Sequence, residues 1–568
     1  MISKIFFSTA SLGLLALLLL SCAGQMGPEG GPVDSIPPTI IHTEPDTNQV
    51  HVNTDQIVLE FSEYVDRRSA EESIFISPPL GELEFDWSGP ELTILFADSL
   101  RANKTYVVNV GTDVTDLRAR NRMAHGFSLA FATGDSIDQG MLKGKVFDAK
   151  PEGVLIFGYS LNGISSDTLD PGKLKPDYIT QTGKDGNWTL SNLAWGRYRL
   201  FAVRDEYRNL LYDKQIDQFG VTTGDFRIDS VRVGVNDIWF RLSQEDTAKP
   251  FVTRVQPLDQ KRIQVSFSEP VDTVSFRRAD ISIQDTATGA SIDIVLRSLD
   301  KPDSSVATLL TVSRLDSAAG YRLIIRGLTD TVGNAIDTSH AGVTFGGTNM
   351  IDTLKPSFAV PGIRDSIRNV ALDQRFILQF SEPVQPLPMN SAVEIRDSNR
   401  TLIASALSWQ SAANLRVTTR EPLVPNMRFE MRIVLDSLSD FSGNGYNDSV
   451  TVLRFWSLDL RTTGTIDGFV MDPDTTDDRG EIVLTATQLY ASPPKTQSQR
   501  LKGPGDFHFE HLPEGRYLLD SFRDRDSSRT YSFGKPYPFV TSERFVFFPD
   551  TLKVRARWGV EGVNVIYK

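Results

Sequence analysis

Ile57-Val58-Leu59-Glu60-Phe61-Ser62-Glu63 is the stretch whose reading decides the fold, because its end returns twice, as Phe267-Ser268-Glu269 and Phe380-Ser381-Glu382. Ile57, Leu59 and Phe61 fall on one face of an extended chain, as in a half-buried strand. Proline follows in two copies (Pro270, Pro383), where a missing N–H does a strand end no harm. A valine stands two after each glutamate: Val65, Val271 and Val384. Upstream, each copy opens with an Asp-Ser/Thr segment that ends in proline, at 34–38, 246–250 and 352–356. Downstream, two copies share Asp-x-x-Gly-Asn, at 330–334 and 440–444, and the first keeps Asp116 and Asn121. Gly-Asn supplies a left-handed turn. Each copy closes on a strand with a phenylalanine: Phe131, Phe345 and Phe455. One structural unit therefore occurs three times.

A second unit occurs twice. It begins with a strand around a glycine, Leu142-Lys143-Gly144-Lys145-Val146-Phe147 and Ile466-Asp467-Gly468-Phe469-Val470. It continues from Gly186-Asn187-Trp188 to Gly196-Arg197-Tyr198, and from Gly505-Asp506-Phe507 to Gly515-Arg516-Tyr517. An Arg-Asp pair follows each tyrosine at the same distance, ending at Asp205 and Asp524. Elsewhere Thr105-Tyr106-Val107-Val108-Asn109-Val110 and Arg428-Phe429-Glu430-Met431-Arg432-Ile433 keep the strand pattern, and helical signals almost vanish. The expected fold class is all-β, a tandem array of about five antiparallel β-sandwiches.

The Phe-Ser-Glu-Pro and Asp-x-x-Gly-Asn pair resembles the bacterial Ig-like domain of surface-layer proteins, over 35–135, 246–348 and 352–459. The second unit resembles the carboxypeptidase regulatory-like, transthyretin-like sandwich, over 139–244 and 463–568. These resemblances imply spacer, adhesion or support modules and no catalysis.

The N-terminus reads as a lipoprotein signal peptide, residues 1–21. Lys4 gives a positive start, and the apolar run from Ile5 to Leu20 is shorter than the roughly 20 residues a membrane span needs. Leu19, Ser21 and Cys22 resemble the bacterial lipobox, with Leu20 at its second position a departure from the usual small residue. The resemblance implies lipidation of Cys22, the only cysteine, and attachment to a membrane. Residues 22–34 are then the lipidated cysteine and a Gly/Pro-rich tether. The expected location is the outer membrane of a Gram-negative bacterium, facing periplasm or surface.

A net charge of −13 excludes nucleic acid as a partner class. With no second cysteine, packed cores must hold the domains. No nucleophile elbow, phosphate loop or zinc-protease motif is present, so no enzyme and no cofactor are expected. His508 and His511, three apart on a strand, are expected on opposite faces. The metal candidates are recurring acids, Glu269, Asp330, Glu382 and Asp440, with Glu63 in the first copy. Calcium needs several converging oxygens, and the plainer reading is that these acids cap turns. Asp205, Glu206, Asn209 and Asp213 form a further acidic loop, interrupted by Arg208 and Leu210. Asp-Ser/Thr pairs are dense, and they resemble an O-glycosylation sequon of Gram-negative bacteria. That resemblance offers Ser35, Thr247 and Thr353 as attachment sites, against turn capping by the aspartates. The sequence supports a non-catalytic envelope lipoprotein of structural, adhesion or binding type, with an envelope protein or glycan as partner. The alternative is an accessory scaffold subunit of an outer-membrane transport or secretion complex.

Overall fold

The computed structural model describes residues 34–299, 304–340, 342–385, 392–436, 438–446, 450–474, 480–491 and 495–568. Cys22 and residues 1–21, read above as a signal peptide, lie outside them. The regular structure of the described chain is nearly all strand; its two α-helices, Arg67–Glu71 and Thr273–Arg278, are one or two turns long. Each is capped by the aspartate before it, Asp66 or Asp272, whose side chain accepts from a backbone N–H three residues on. Among the described residues no helix is long and apolar enough to cross a membrane.

Two compact units divide the chain, one of residues 1–243 with 533–541, the other of 244–532 with 542–568. In the first unit, Ile40–Glu44, Gln56–Phe61, Glu91–Phe96 and Leu83–Ser88 make one sheet. Ile74–Ser77, Thr105–Val110 and Phe127–Ala132 face it as a second. This is the strand order of a constant-type immunoglobulin sandwich. Ile57, Leu59, Phe61, Val108 and Phe131, all essentially inaccessible, fill the space between the sheets. In the second unit the sandwiches around 252–346 and 358–457 repeat the four-stranded sheet with the same pairing.

The sandwiches that begin at Gly140 and Thr463 add a feature that the antiparallel expectation missed. Gly234–Arg241 runs parallel to Gly140–Phe147, and Gly559–Ile566 runs parallel to Thr463–Met471. First and last strands of a domain are far apart in sequence, so a parallel pairing closes without a tight turn. Both pairings shift register beside the strand's glycine. A Cβ on Gly144 would sit 1.7 Å from the Ile238 carbonyl oxygen, and one on Gly468 1.9 Å from that of Val563. Only glycine admits this approach.

Within the first unit the two sandwiches are joined side by side. Phe75 packs with Phe157 and Phe201. Asn109 Nδ2 donates to the Ile179 carbonyl (2.7 Å), and Gln181 Nε2 donates to Asp113 (2.8 Å). Phe539 belongs to the same unit: it meets Phe201 edge-on and lies under the Arg199 guanidinium, 3.6 Å from its ring centre.

Candidate functional site

The recurring motif residues converge at one pole of each Ig-like sandwich, and each has a separate task. The phenylalanine is core: Phe61, Phe267 and Phe380 are all buried. The serine stitches the incoming chain to its strand. Ser62 donates its backbone N–H to the Thr39 carbonyl (2.7 Å) and accepts the Thr39 N–H on Oγ (3.0 Å). Ser268 does the same with Phe251, and Ser381 with Ser357. The valine pairs with the turn aspartate, as Val65 with Asp116, Val271 with Asp330 and Val384 with Asp440.

Those aspartates organise their own loops. Asp330 Oδ1 accepts the N–H groups of Val332, Gly333 and Asn334 at 2.7–2.9 Å, and its Oδ2 accepts Asn334 Nδ2 at 2.8 Å. Asp440 accepts from Ser442, Asn444 and the Asn444 amide in the same way. At Asp116, burial raises the carboxyl, but N–H donors from Ala119, Asn121, Arg118 and Arg120 outweigh it and hold the group below its ordinary range. The left-handed position before the asparagine is Gly333 or Gly443 in two copies and Arg120, at φ 62°, in the first. The asparagine then reaches back across the pole. Asn121, Asn334 and Asn444 donate Nδ2 to the carbonyls of Asp34, Asp246 and Asp352 at 3.0, 3.0 and 3.2 Å.

This brings the acids together. Asp246, Glu269 and Asp330 each present a carboxylate oxygen within 4.8 Å of the others, and so do Asp352, Glu382 and Asp440. Burial lifts the carboxyls of Glu63 and Glu269 above their ordinary range, and the paired aspartates add to it: Asp116 and Asp34 for Glu63, Asp246 and Asp330 for Glu269. The third group has a cation built in. Arg262, from the preceding Ig-like sandwich, places Nε 3.0 Å from Asp259 and Nη2 3.1 Å from Asp352, and its Nη1 donates to Glu382. Its side chain is 13% exposed, so the charges are screened little by water. Arginine here supplies the positive charge that a metal would.

Arg262→Met is expected to lower the stability of this joint by about 1.5–3 kcal/mol, the range for charged hydrogen bonds. Protease cleavage should rise in the connecting segment, where Met350, Ile351 and Leu354 are exposed. Thermal melts of the full chain with timed proteolysis check this; unchanged melting and cleavage would show that the pair does not fasten the joint.

The other candidates sort as follows. Ser35 and Thr353 are exposed, whereas the Thr247 hydroxyl oxygen is buried and accepts no hydrogen bond. Asp205 accepts the N–H groups of Asn209 and Leu210, and Asp213 accepts the Asn209 amide, so that loop is held by its own donors. The histidine expectation is corrected. The strand bulges at Glu510–His511, with His511 at φ 59° and the register shifted between Gly464 and Ile466. The bulge breaks the alternation, and both ring Nε2 atoms lie 3.9 Å from Glu510, while His508 Nδ1 pairs with Asp467.

In the two sandwiches built on the glycine strands the repeated tyrosines are core anchors. Tyr198 and Tyr517 are each 1% exposed, and each donates its hydroxyl to the carbonyl four residues before it, at 2.7 and 2.8 Å. The repeated Arg-Asp pair has two roles. Arg204 pairs with Asp148 (3.0 Å) and Arg523 with Asp472 (2.9 Å) at the end of the glycine strand. The following Asp205 or Asp524 starts the next loop. Sequence reading noted this spacing without its partners, which lie 56 and 51 residues away.

Residues 34–133 match the model of a bacterial Ig-like domain. No match is found among curated proteins. Among solved structures, the N-terminal part of the bacterial S-layer protein SbsC is similar at 15% identity and a TM-score of 0.17, over 37% of this chain and 44% of that one. The chain therefore spans less than half the length of that structure. BcpA, the major pilin subunit of Bacillus cereus, is similar at 8% identity and a TM-score of 0.14, over 76% of this chain and 100% of that one. An LD transpeptidase, LdtMt1, is similar at 11% identity and a TM-score of 0.15, over 26% and 74%. Likeness this low carries no argument about activity, and Ig-like folds host unrelated functions. The fold and the repeated poles define the class of this chain: a tandem Ig-like β-sandwich protein.

Proposed function

We propose that this chain is a non-catalytic structural or adhesion protein of the cell envelope, held by a lipid on Cys22 to the outer membrane of a Gram-negative bacterium. One observation carries the reading: the recurring polar residues fasten chain to chain. Serine and asparagine tie each incoming segment to its pole, and Arg262 ties one Ig-like sandwich to the next. Such residues serve to keep an array together. The two transthyretin-like sandwiches are read as support domains in the same array, with Ser35 and Thr353 as exposed positions for glycans.

More than one acyl chain anchors a protein stably. Cys22→Ala is therefore expected to move the protein from the membrane fraction to the soluble fraction, or to leave it as unprocessed precursor. Fractionation with mass measurement reads this; unchanged mass and membrane partition would overturn the anchor. Crosslinked pull-down then identifies the partner class. Recovery of an outer-membrane transporter or secretion component would favour the accessory-scaffold role, and recovery of glycan or surface protein the adhesion role.

A further inference from the structure

The loops that close the last sandwich hold an acidic group unlike those at the Ig-like poles. Asp524, Asp526 and Glu543 present carboxylate oxygens within 4.8 Å of one another. Asp524 and Glu543 are each 3% exposed. Backbone N–H groups fix two of them: Arg525 and Ser532 donate to the two oxygens of Glu543 (2.7 and 2.9 Å), and Arg529 donates to Asp524 Oδ2 (3.0 Å). Asp524 Oδ1 is buried and has no hydrogen-bond partner. A buried charged oxygen without a donor is costly, and native structures seldom leave one so.

The first transthyretin-like sandwich shows what is missing. There Asp205 begins the same loop, its Oδ1 accepts the Asn209 N–H (3.3 Å), and Asp217 accepts the Glu206 and Asp213 N–H groups as Glu543 does those of Arg525 and Ser532. In the last sandwich Ser528 replaces Asn209, and its N–H donates instead to Asp526 Oδ1 (2.8 Å). Asp526 itself replaces the exposed Tyr207. The loop has thus lost the donor to its buried aspartate, and its third acid is Asp526, where the first loop has Asp213 tied to the Asn209 amide (2.8 Å). Burial raises the Glu543 carboxyl above its ordinary range against those N–H donors, and Asp526 and Asp524 add to the rise.

We infer that Asp524, Asp526 and Glu543 form a binding site for a hard divalent cation, with calcium the ion that the donor set fits. Carboxylate oxygens on two loops, with Asp526 open to solvent, suit the flexible oxygen coordination of calcium. Each oxygen that accepts an N–H keeps a second lone pair. The cation would give Asp524 Oδ1 its partner and join the start of one loop to the end of another. The inference rests on these loops alone and is independent of the envelope reading.

The test uses the full chain stripped with EDTA, titrated with calcium chloride by calorimetry and melted with and without about 1 mM calcium, the range of extracellular calcium modules. The expected result is a melting temperature that rises with calcium. Asp526→Asn, at an exposed position, should weaken binding at least about tenfold, since it removes one of three charges. Asp524→Asn should abolish the response while melting no lower than the parent in EDTA, because its amide donates where the carboxylate cannot. Asp330→Asn should leave the response intact. Absence of any calcium heat or melting shift would overturn the site and leave a proton shared between Asp524 and Asp526 as the neutralising partner. A calcium response unchanged by Asp526→Asn and Asp524→Asn would overturn it equally.

Discussion

Asp472→Ala is expected to unfold the last sandwich of the full chain at temperatures where the others remain folded. Asp472 is 1% exposed and lies between two arginines whose side chains are 2% and 8% exposed. Arg523 Nη2 reaches its Oδ2 at 2.9 Å, and Arg544 Nη2 reaches its Oδ1 at 2.8 Å. Removing the shared anion leaves two guanidinium groups buried together. Breaking one buried pair costs about 3–5 kcal/mol, against about 5–15 kcal/mol for a whole domain. Calorimetry of the full chain reads it as the downward shift of one transition among several. The apolar set Asp472→Leu, Arg523→Met and Arg544→Met should recover most of the loss, because replacing a whole buried ion group is often neutral. A single variant that melts like the parent would show that the group is not stabilised by its charges.

Tyr517→Ala is expected to have an effect of similar size by a different route. The ring is buried, and truncating a buried aromatic costs about 3–5 kcal/mol. The hydroxyl donates to the Pro513 carbonyl, and burial pushes its pKa up to about 12, so it remains a donor at any working pH. Tyr517→Phe separates the contributions: it keeps the ring and loses one hydrogen bond, about 1 kcal/mol. Paired melts of the two variants measure the difference. If alanine and phenylalanine cost the same small amount, the tyrosine is not a core anchor.

What was legible in the sequence was what lies within one unit. Phe61, Val65 and their repeats marked strand and core because they are spaced by the geometry of a single strand. Asp330 and Asn334 marked a turn because they act on neighbouring backbone. The Arg262 joint had no such mark, since Asp352 and Glu382 lie 90 and 120 residues on, and an arginine in an exposed-looking strand position is ordinary. The Asp472 group hid for the same reason, with Arg544 72 residues away. His511 was misplaced because period-2 reasoning assumes an unbroken ladder. The acids of the last sandwich were missed because Glu543 joins them only after the chain turns back. Its counterpart in the first copy, Asp217, sits closer to its loop in sequence and takes the equivalent pair of backbone donors.

The asparagine stitch also governs how the chain bears tension. In each Ig-like sandwich the incoming segment is held by a side chain from the loop before the closing strand, and by a serine at the end of the second strand. A pull on the segment at 246–250 meets Asn334 at Asp246 and then Ser268 at Phe251 before it reaches the ladder of Val252–Pro257 against Arg262–Phe267. Two side chains of ordinary chemistry are thereby the first bonds that such a tug must break.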